Sequence, residues 1–225
     1  RVETFYRHPV WILNGIFTAT DPVSASHRIA IARLATKLDA RSVADYGGGF
    51  GELGVCVARA NSACRVDIIE PFPTGIARAR AVGHPGIAFV PELGAGYDLV
   101  VAQDVLEHVE DPVGLAARLS EATKLGGHLI FANCFFPVIQ CHLPRTFHLR
   151  HTFPWVMESG GLDYLGRVPG AEHGQLFRRR GEMQIAALRR RESWSRAIGP
   201  LANRAHAIAL HLPAAGGLAR RRVNP

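Results

Sequence analysis

The sequence predicts an α/β fold in which a mostly parallel sheet is covered by helices on both faces. The chain has 225 residues, of which 48% are hydrophobic, so it is long enough for one substantial core. From residue 42 onward, short apolar runs alternate with stretches of helical periodicity. Several of these runs are apolar throughout, which is typical of strands buried on both faces. The strand candidates are Ser42–Tyr46, Arg65–Glu70, Ile87–Val90, Tyr97–Gln103 and Gly127–Asn133, and the helices expected between them are 51–60, 74–82 and 112–124.

The two ends of the chain differ from this alternating region. Residues 5–38 have the pattern of two helices interrupted at Thr20-Asp21-Pro22, and we expect the segment 1–40 to form part of a lid. Residues 182–225 have the pattern of two Arg-rich helices broken at Gly199-Pro200. The chain is therefore divided into N-terminal helices (1–40), a core (41–181) and a basic helical extension (182–225).

Between the alternating region and the extension lies a segment rich in His, Phe and Pro, which runs from residue 134 to Pro154. A short helix is expected near 155–160. Two further strand candidates, 162–168 and 175–180, flank Pro169-Gly170 and predict a closing antiparallel hairpin.

The basic residues are concentrated at the C-terminal end. From Arg178 onward there are eleven arginines against Glu182 and Glu192, a balance of 11 − 2 = +9 within a total of +7. The rest of the chain therefore has a balance of −2, and binding of nucleic acid by the whole protein is not favoured. No apolar run is long enough to span a membrane and no secretory signal is evident. We expect a cytoplasmic protein with four reduced cysteines, and a homodimer formed through the terminal helices is conceivable.

A glycine-rich loop, Asp45-Tyr46-Gly47-Gly48-Gly49-Phe50-Gly51, joins the first strand to the next helix. Glycines permit positive φ angles and let a ligand approach the backbone closely. The helix after the loop presents free N–H groups. Glu70 ends the next strand, where its carboxylate can accept both hydroxyls of a ribose. The loop therefore predicts a site for a cofactor that contains adenosine.

Two cofactors fit this loop. Residues 49–54 match G-x-G-x-x-G, with Glu70 about twenty residues further on, as an NAD(P)-binding oxidoreductase requires. S-adenosylmethionine (SAM) is favoured by Asp45, because an acid there suits the ammonium of the methionine moiety and repels a pyrophosphate. SAM is also favoured by Gly47, which precedes the G-x-G-x-x-G match of residues 49–54 and makes the loop longer than an NAD-binding loop.

Two later segments carry a family resemblance. The run Tyr97–Pro112 contains Glu107-His108-Val109-Glu110-Asp111-Pro112, which resembles the EHV-x-DP signature of a branch of class I SAM-dependent methyltransferases that act on small molecules. Lys124–Ile130 resembles the "LKPGG" turn of the same family, and the resemblance covers roughly residues 40–135. It implies a Rossmann-like sheet of seven strands, mostly parallel, with an antiparallel last strand.

The resemblance also implies a set of cofactor contacts. The methionine and ribose end would be lined by Asp45, Gly47, Gly49 and Gly51. Ribose and adenine would be held by Glu70, Pro71, Phe72 and Glu92, the last reaching the adenine amino group. The wall under the methyl sulfonium would consist of Gln103, Asp104 and Val105.

Methyl transfer to a hydroxyl requires a base that works near neutral pH, and histidine is the usual choice. His108 follows the fourth strand, and His142 and His148 lie in the His-, Phe- and Pro-rich segment after the fifth. Since ligands bind beyond the carboxyl ends of the strands in open α/β sheets, these three are the candidate catalytic residues. A metal site is not expected, because the spacing of the possible ligands Cys134, Cys141, His142, His148 and His151 does not match structural zinc sites.

The predicted function is methyl transfer from SAM to a small metabolite or natural-product intermediate, at oxygen or nitrogen. Three alternatives remain open at this point. The basic tail suggests an RNA methyltransferase, the G-x-G-x-x-G match suggests an NAD(P)-dependent oxidoreductase, and the lack of one compelling base suggests a catalytically silent scaffold.

Overall fold

The computed structural model describes residues 8–211 and consists of one seven-stranded sheet between layers of helices. The strands are β1 (Ser42–Tyr46), β2 (Arg65–Ile69), β3 (Ile87–Val90), β4 (Tyr97–Gln103), β5 (Thr123–Ala132), β6 (Leu162–Val168) and β7 (Ala171–Arg179). The α-helices are α1 (Val10–Thr20), α2 (Pro22–Lys37), α3 (Glu52–Ala60), α4 (Gly75–Val82), α5 (Pro112–Ala122), α6 (Phe153–Glu158) and α7 (Ile185–His211). Single 3₁₀ segments cover Leu106–His108 and Pro144–Leu149.

The strand order across the sheet is β3-β2-β1-β4-β5-β7-β6. All pairs from β3 to β5 are parallel, whereas β7 is inserted between β5 and β6 and runs against both. This is the predicted mostly parallel sheet with an antiparallel last strand. The order reverses between β1 and β4, and in open α/β sheets ligands bind beyond the carboxyl ends of the strands at such a point.

Burial on both faces explains the continuous apolar runs that the sequence shows. On one face, Ile31 and Ala35 of α2 and Leu53 of α3 pack with inward side chains of β1 and β2. On the other face, Leu119 of α5 and Phe153 of α6 belong to a second buried cluster. Both faces are covered by helices, as predicted.

The N-terminal helices meet at the predicted interruption. Asp21 caps α2, since its Oδ2 accepts a hydrogen bond from the amide of Ser24 at 2.7 Å, and Pro22 occupies the first turn. α1 packs on the glycine loop through Gly15, where an added Cβ would lie 2.5 Å from a ring carbon of Phe50. The helix therefore covers one side of the loop.

The C-terminal region differs from its prediction. α7 is one helix that contains Pro200, so the predicted break at Gly199-Pro200 is wrong. Gly199 lies against the backbone of His148, where an added Cβ would be 2.4 Å from the carbonyl oxygen. On either side of Pro200, Ser195 Oγ donates to the carbonyl of His148 at 3.2 Å and Asn203 Nδ2 donates to that of Phe147 at 3.0 Å. These tertiary contacts hold the helix through a residue that would break it in isolation. Residues 212–225, the rest of the predicted extension, lie outside the described part of the chain.

Other boundaries also shift. α5 ends at Ala122 and β5 begins at Thr123, four residues before the predicted start. β7 begins at Ala171 instead of 175, and α6 spans Phe153–Glu158 instead of 155–160. All four cysteines are unpaired, as predicted. Within residues 8–211, none of the helices combines the length and the apolar character that crossing a membrane requires.

Candidate functional site

A cleft of about 950 Å³ opens at the carboxyl ends of β1, β2 and β4, where the strand order reverses. It brings together most of the residues that the sequence assigned to the cofactor: Asp45, Gly47, Gly49, Glu70, Pro71, Phe72, Gln103, Asp104 and Val105. Of the three histidines proposed for catalysis, His108 lines the cleft. Gly51, Glu92, His142 and His148 are not among the lining residues.

Asp45 lies near the end of β1, at the base of the cleft. Its side chain is buried (3% exposed), and its Oδ2 has no hydrogen-bond partner among the described residues. Burial and, to a smaller extent, the nearby Glu70 carboxylate raise the pKa of Asp45 to about 7, with Arg28 acting in the opposite direction. A buried carboxylate oxygen without a donor suits a cationic ligand group, and the ammonium of SAM fits this requirement.

Glu70 follows β2 and connects the strand to the glycine loop. Its Oε2 accepts a hydrogen bond from the amide of Gly49, and its Oε1 accepts one from the amide of Phe72, both at 3.1 Å. The carboxylate is therefore fixed at the wall of the cleft. Each oxygen has a second lone pair, so it can also accept a hydroxyl of a ribose.

Gly47 forms the turn after β1 with φ = +73°. A Cβ at this position would lie 2.5 Å from Cγ2 of Val105, which belongs to the opposite wall. Position 47 therefore requires glycine for both its backbone conformation and the approach of the two walls. Gly51 precedes α3, and an added Cβ there would lie 2.8 Å from Cδ1 of Ile68, so this glycine lets the loop pack against β2.

Asp104 directly follows β4 with φ = +52°, a conformation that is uncommon for a residue other than glycine. Its carboxylate is open to the cleft. Loss of solvation raises the pKa of Asp104, whereas the positive charge of the imidazoles of His108, His142 and His27 lowers it. Three imidazoles therefore act electrostatically on one acidic group that lines the cleft.

His108 and His142 form part of a cluster with Glu107. The two rings stack edge to face with centroids 4.9 Å apart, and His108 Nδ1 lies 3.1 Å from the carbonyl oxygen of Cys141. His142 Nδ1 lies 2.8 Å from that of Phe136. Glu107 is fully buried, its Oε1 accepts a hydrogen bond from the amide of Cys134 at 2.7 Å, and burial raises its pKa to about 7.

One potential ligand atom from each of Glu107, His108 and His142 lies within 4.8 Å of the other two. The cluster has donor atoms suitable for a divalent cation. It shares only His142 with the set weighed on the sequence, and the other two members are His108 and a glutamate whose burial the sequence did not indicate.

His148 and Glu92 lie away from the cleft. His148 is buried, and its Nδ1 lies 2.8 Å from the carbonyl oxygen of Arg145. Its backbone carbonyl accepts hydrogen bonds from Thr152 and Ser195, so this residue connects the 3₁₀ segment Pro144–Leu149 to α7. Glu92 is exposed in the loop after β3. Neither residue is among those that line the cleft.

The cleft also contains residues that the sequence analysis did not single out. Arg28 of α2 is buried beside Asp45, and its Nη1 donates to the carbonyl of Thr18 at 2.8 Å. His27 and His173 line the same cleft from α2 and β7. Arg28 interrupts an otherwise apolar helix face, a signal that was present in the sequence. His27 and His173 are 146 residues apart in the sequence, so no local pattern predicts that their rings are in contact.

Comparison with known proteins agrees with this geometry. Residues 25–181 match the family model described as a methyltransferase domain. Ubiquinone biosynthesis O-methyltransferases of Pectobacterium carotovorum subsp. carotovorum (strain PC1) and Erwinia tasmaniensis are each 26% identical. The alignments cover 72% and 86% of this chain and 66% and 80% of those proteins, so the chain spans just under two thirds of the first.

Among solved structures, mitomycin 7-O-methyltransferase MmcR superposes with a TM-score of 0.55 at 21% identity. The superposition covers 73% of this chain and 60% of that one, and it supports the fold alone. The family match extends over more than half of the chain and includes β1 to β7 with the glycine loop. It confirms the predicted methyltransferase family, while the narrower EHV-x-DP branch stays a prediction. The chain belongs to the methyltransferase-domain family and has the Rossmann-like fold of the class I SAM-dependent methyltransferases.

Proposed function

We propose that this chain transfers the methyl group of SAM to a small molecule, at an oxygen or nitrogen atom, within the cleft at the β1–β4 switch point. The observation that carries this proposal is the buried Asp45 carboxylate, whose Oδ2 has no partner among the described residues. A phosphate-containing dinucleotide would place further negative charge beside Asp45 and Glu70, whereas an ammonium group would relieve their repulsion.

The chain's own groups have distinct tasks in this proposal. Asp45 receives the ammonium, Glu70 receives the ribose hydroxyls, and Pro71 and Phe72 lie beside the adenine. Gln103, Asp104 and Val105 form the wall nearest the reacting atoms. When bound, SAM supplies an activated methyl group on a sulfonium, so the protein mainly positions the acceptor and manages its proton.

A small acceptor is favoured over RNA because many of the C-terminal arginines are already engaged. Arg178 and Arg180 pair with Asp163, Arg189 pairs with Asp111 and Glu192, and Arg196 pairs with Glu192. Arg191 lies over the ring of Trp155, 4.9 Å from its centroid. These contacts attach the basic region to the body and reduce the charge that it offers to phosphates. The names of the relatives and of the solved structure, all O-methyltransferases, support oxygen as the receiving atom.

Calorimetry tests the cofactor directly. We expect SAM and S-adenosylhomocysteine to bind and NADH to give no heat of binding. Incubation with methyl-labelled SAM and panels of hydroxylated aromatics, amines and transfer RNA then identifies the acceptor class by mass spectrometry. Binding of NADH without binding of SAM would overturn the methyltransferase proposal. Labelling of RNA alone would overturn the small-molecule acceptor.

A further inference from the structure

His27 and His173 form a pair of imidazoles in the cleft. Their ring centroids are 4.4 Å apart and their planes are tilted by 41°. Both residues are partly buried and both line the same cleft as Asp45 and Asp104. The pair lies outside every motif that defines the cofactor site.

The fold brings these two rings together through the packing of α2 on the β6–β7 turn. Gly170 in this turn lies against α2, where an added Cβ would be 3.3 Å from the Cβ of Ala30. In the β5–β7 pairing, Gly174 is opposite Ala132, so His173 lies level with the carboxyl end of β5. The pair therefore lies at the edge of the sheet where β1 and β4 present the cofactor residues.

The ring nitrogens of the pair differ from those of the other histidines near the cleft. No nitrogen of His27 or His173 hydrogen-bonds another residue within the described range 8–211. His108 and His142, by contrast, each have Nδ1 next to a backbone carbonyl, and each contributes to the cluster with Glu107. The pair thus has ring nitrogens available to a molecule in the cleft, whereas in His108 the contact of Nδ1 with the Cys141 carbonyl leaves only Nε2 for that role.

The charges around the pair suit a proton acceptor. Burial lowers the pKa of His173, and His27 and Arg167 lower it further, so that its imidazole is neutral at pH 7. On the other side, the carboxylate of Asp104 and the imidazole of His27 attract each other when His27 is protonated. A proton taken up by the pair is therefore close enough to Asp104 to be stabilised by its carboxylate.

We propose that His27 and His173 together remove the proton of a hydroxyl-bearing acceptor during methyl transfer. A lone pair of the acceptor oxygen forms the new O–CH₃ bond, and the C–S electron pair stays on sulfur. The O–H electron pair stays on oxygen as the proton moves to an imidazole nitrogen of the pair. The second imidazole and solvent then take the proton away, which restores the neutral base. This role depends on the methyl transfer proposed above, and it selects oxygen over nitrogen as the receiving atom.

The test compares His27→Gln, His173→Gln and His108→Gln with a matched control, His151→Gln. His151 also faces another imidazole, that of His206, with centroids 4.9 Å apart, but neither residue lines the cleft. Two acceptors from a panel of hydroxylated aromatics are compared: catechol, which is protonated at pH 7, and 4-nitrocatechol, which is largely ionised. Calorimetry with S-adenosylhomocysteine checks that each variant retains its cofactor affinity.

With catechol at pH 7 we expect kcat to fall by about 100-fold or more in the two pair variants, the usual contribution of a general base. With 4-nitrocatechol the fall is less than about tenfold, because the acceptor has already lost its proton. In the wild type kcat declines as pH falls, because protonation of His173 removes the base. In the pair variants kcat with catechol instead keeps rising into the alkaline range, following the acceptor's own ionisation.

An independent readout is the NMR titration of the imidazole ¹H–¹³C signals with S-adenosylhomocysteine bound. His27→Gln should raise the titration midpoint of His173, since it removes a like-charged neighbour. Three results would overturn the proposed role of the pair. The first is an unchanged midpoint, and the second is a loss of catechol methylation in His108→Gln but not in the pair variants. The third is a failure of the wild type to methylate any hydroxylated aromatic. Cofactor binding with methylation of amines alone would overturn the pair and leave the proposed function intact. A chain that does not bind SAM would contradict the proposed function itself.

Discussion

The carboxylate of Glu70 holds the glycine loop in place, since its Oε2 accepts a hydrogen bond from the amide of Gly49 at 3.1 Å. One residue therefore shapes the loop and lies where the ribose is expected. The end of β2 and the turn after β1 form a single unit through this contact.

Glu70→Gln should weaken SAM binding by at least about tenfold, because a neutral amide accepts hydrogen bonds less strongly than a carboxylate. Calorimetry measures this change. Glu92→Gln is the matched control, since Glu92 is exposed and does not line the cleft. A loss of affinity in Glu92→Gln equal to that in Glu70→Gln would restore the predicted adenine contact and contradict the position seen here.

Gly47→Ala should abolish detectable SAM binding and lower the free energy of unfolding by about 2 kcal/mol. The added methyl group would lie 2.5 Å from Cγ2 of Val105, at a backbone φ of +73°. The double variant Gly47→Ala/Val105→Ala removes the collision but not the backbone strain, so it should recover part of the stability. Urea denaturation measures both effects. Gly75→Ala is the control, because an added Cβ there has no neighbour within 4 Å.

Asp45→Asn should change the pH dependence of stability in a defined direction. The pKa of Asp45 is about 7 in the folded protein, against an ordinary value of 3.8. The folded state therefore binds more protons than the unfolded state between these values, and the wild type loses stability as pH rises through this window. Asparagine does not titrate, so the unfolding free energy of the variant relative to wild type should increase from pH 5 to pH 8, by the order of 1 kcal/mol.

Denaturation of the cofactor-free protein at several pH values measures this difference. Asp39→Asn, at an exposed acidic residue with a positive φ that asparagine tolerates, serves as the control and should show no such trend. If the difference in unfolding free energy between Asp45→Asn and wild type stays constant across this pH range, burial does not raise the pKa of Asp45.

Arg189 connects the last helix to the body, with Nη1 and Nη2 at 2.7 and 2.6 Å from the two carboxylate oxygens of Asp111. Arg189→Gln should lower the free energy of unfolding by about 2 kcal/mol, because it weakens this pair and the contact with Glu192, which is 4% exposed. Arg190→Gln, at an exposed arginine, should change it by less than about 0.5 kcal/mol. Equal effects in chemical denaturation would mean that the basic helix is not anchored as described.

The sequence was sufficient for features that depend on local pattern. The bounds of β1, β3 and β4, the interruption at Asp21-Pro22 and the residues of the glycine loop were predicted because apolar runs, a capping aspartate and glycines act over a few neighbours. The seven-stranded sheet with an antiparallel last strand followed from the family resemblance.

Features that depend on distant contacts were not predicted. α7 continues through Pro200 because His148 and Phe147, some fifty residues earlier, receive its hydrogen bonds. Glu107 is buried because the segment after β5 folds back over it, and His27 meets His173 because α2 packs on the β6–β7 turn. The hydrophobic periodicity of a single segment does not indicate which distant segment it contacts.

The central claim is that Asp45 receives the ammonium of SAM, and calorimetry of SAM binding at pH 6 and pH 8 tests it most directly. Binding requires the carboxylate form, and the pKa of Asp45 is about 7 before the ligand binds. Wild type should therefore bind SAM about tenfold more tightly at pH 8 than at pH 6 and release a proton on binding near pH 7, whereas Asp45→Asn should bind weakly and equally at both. Equal affinity of wild type and Asp45→Asn at pH 8 would contradict the account.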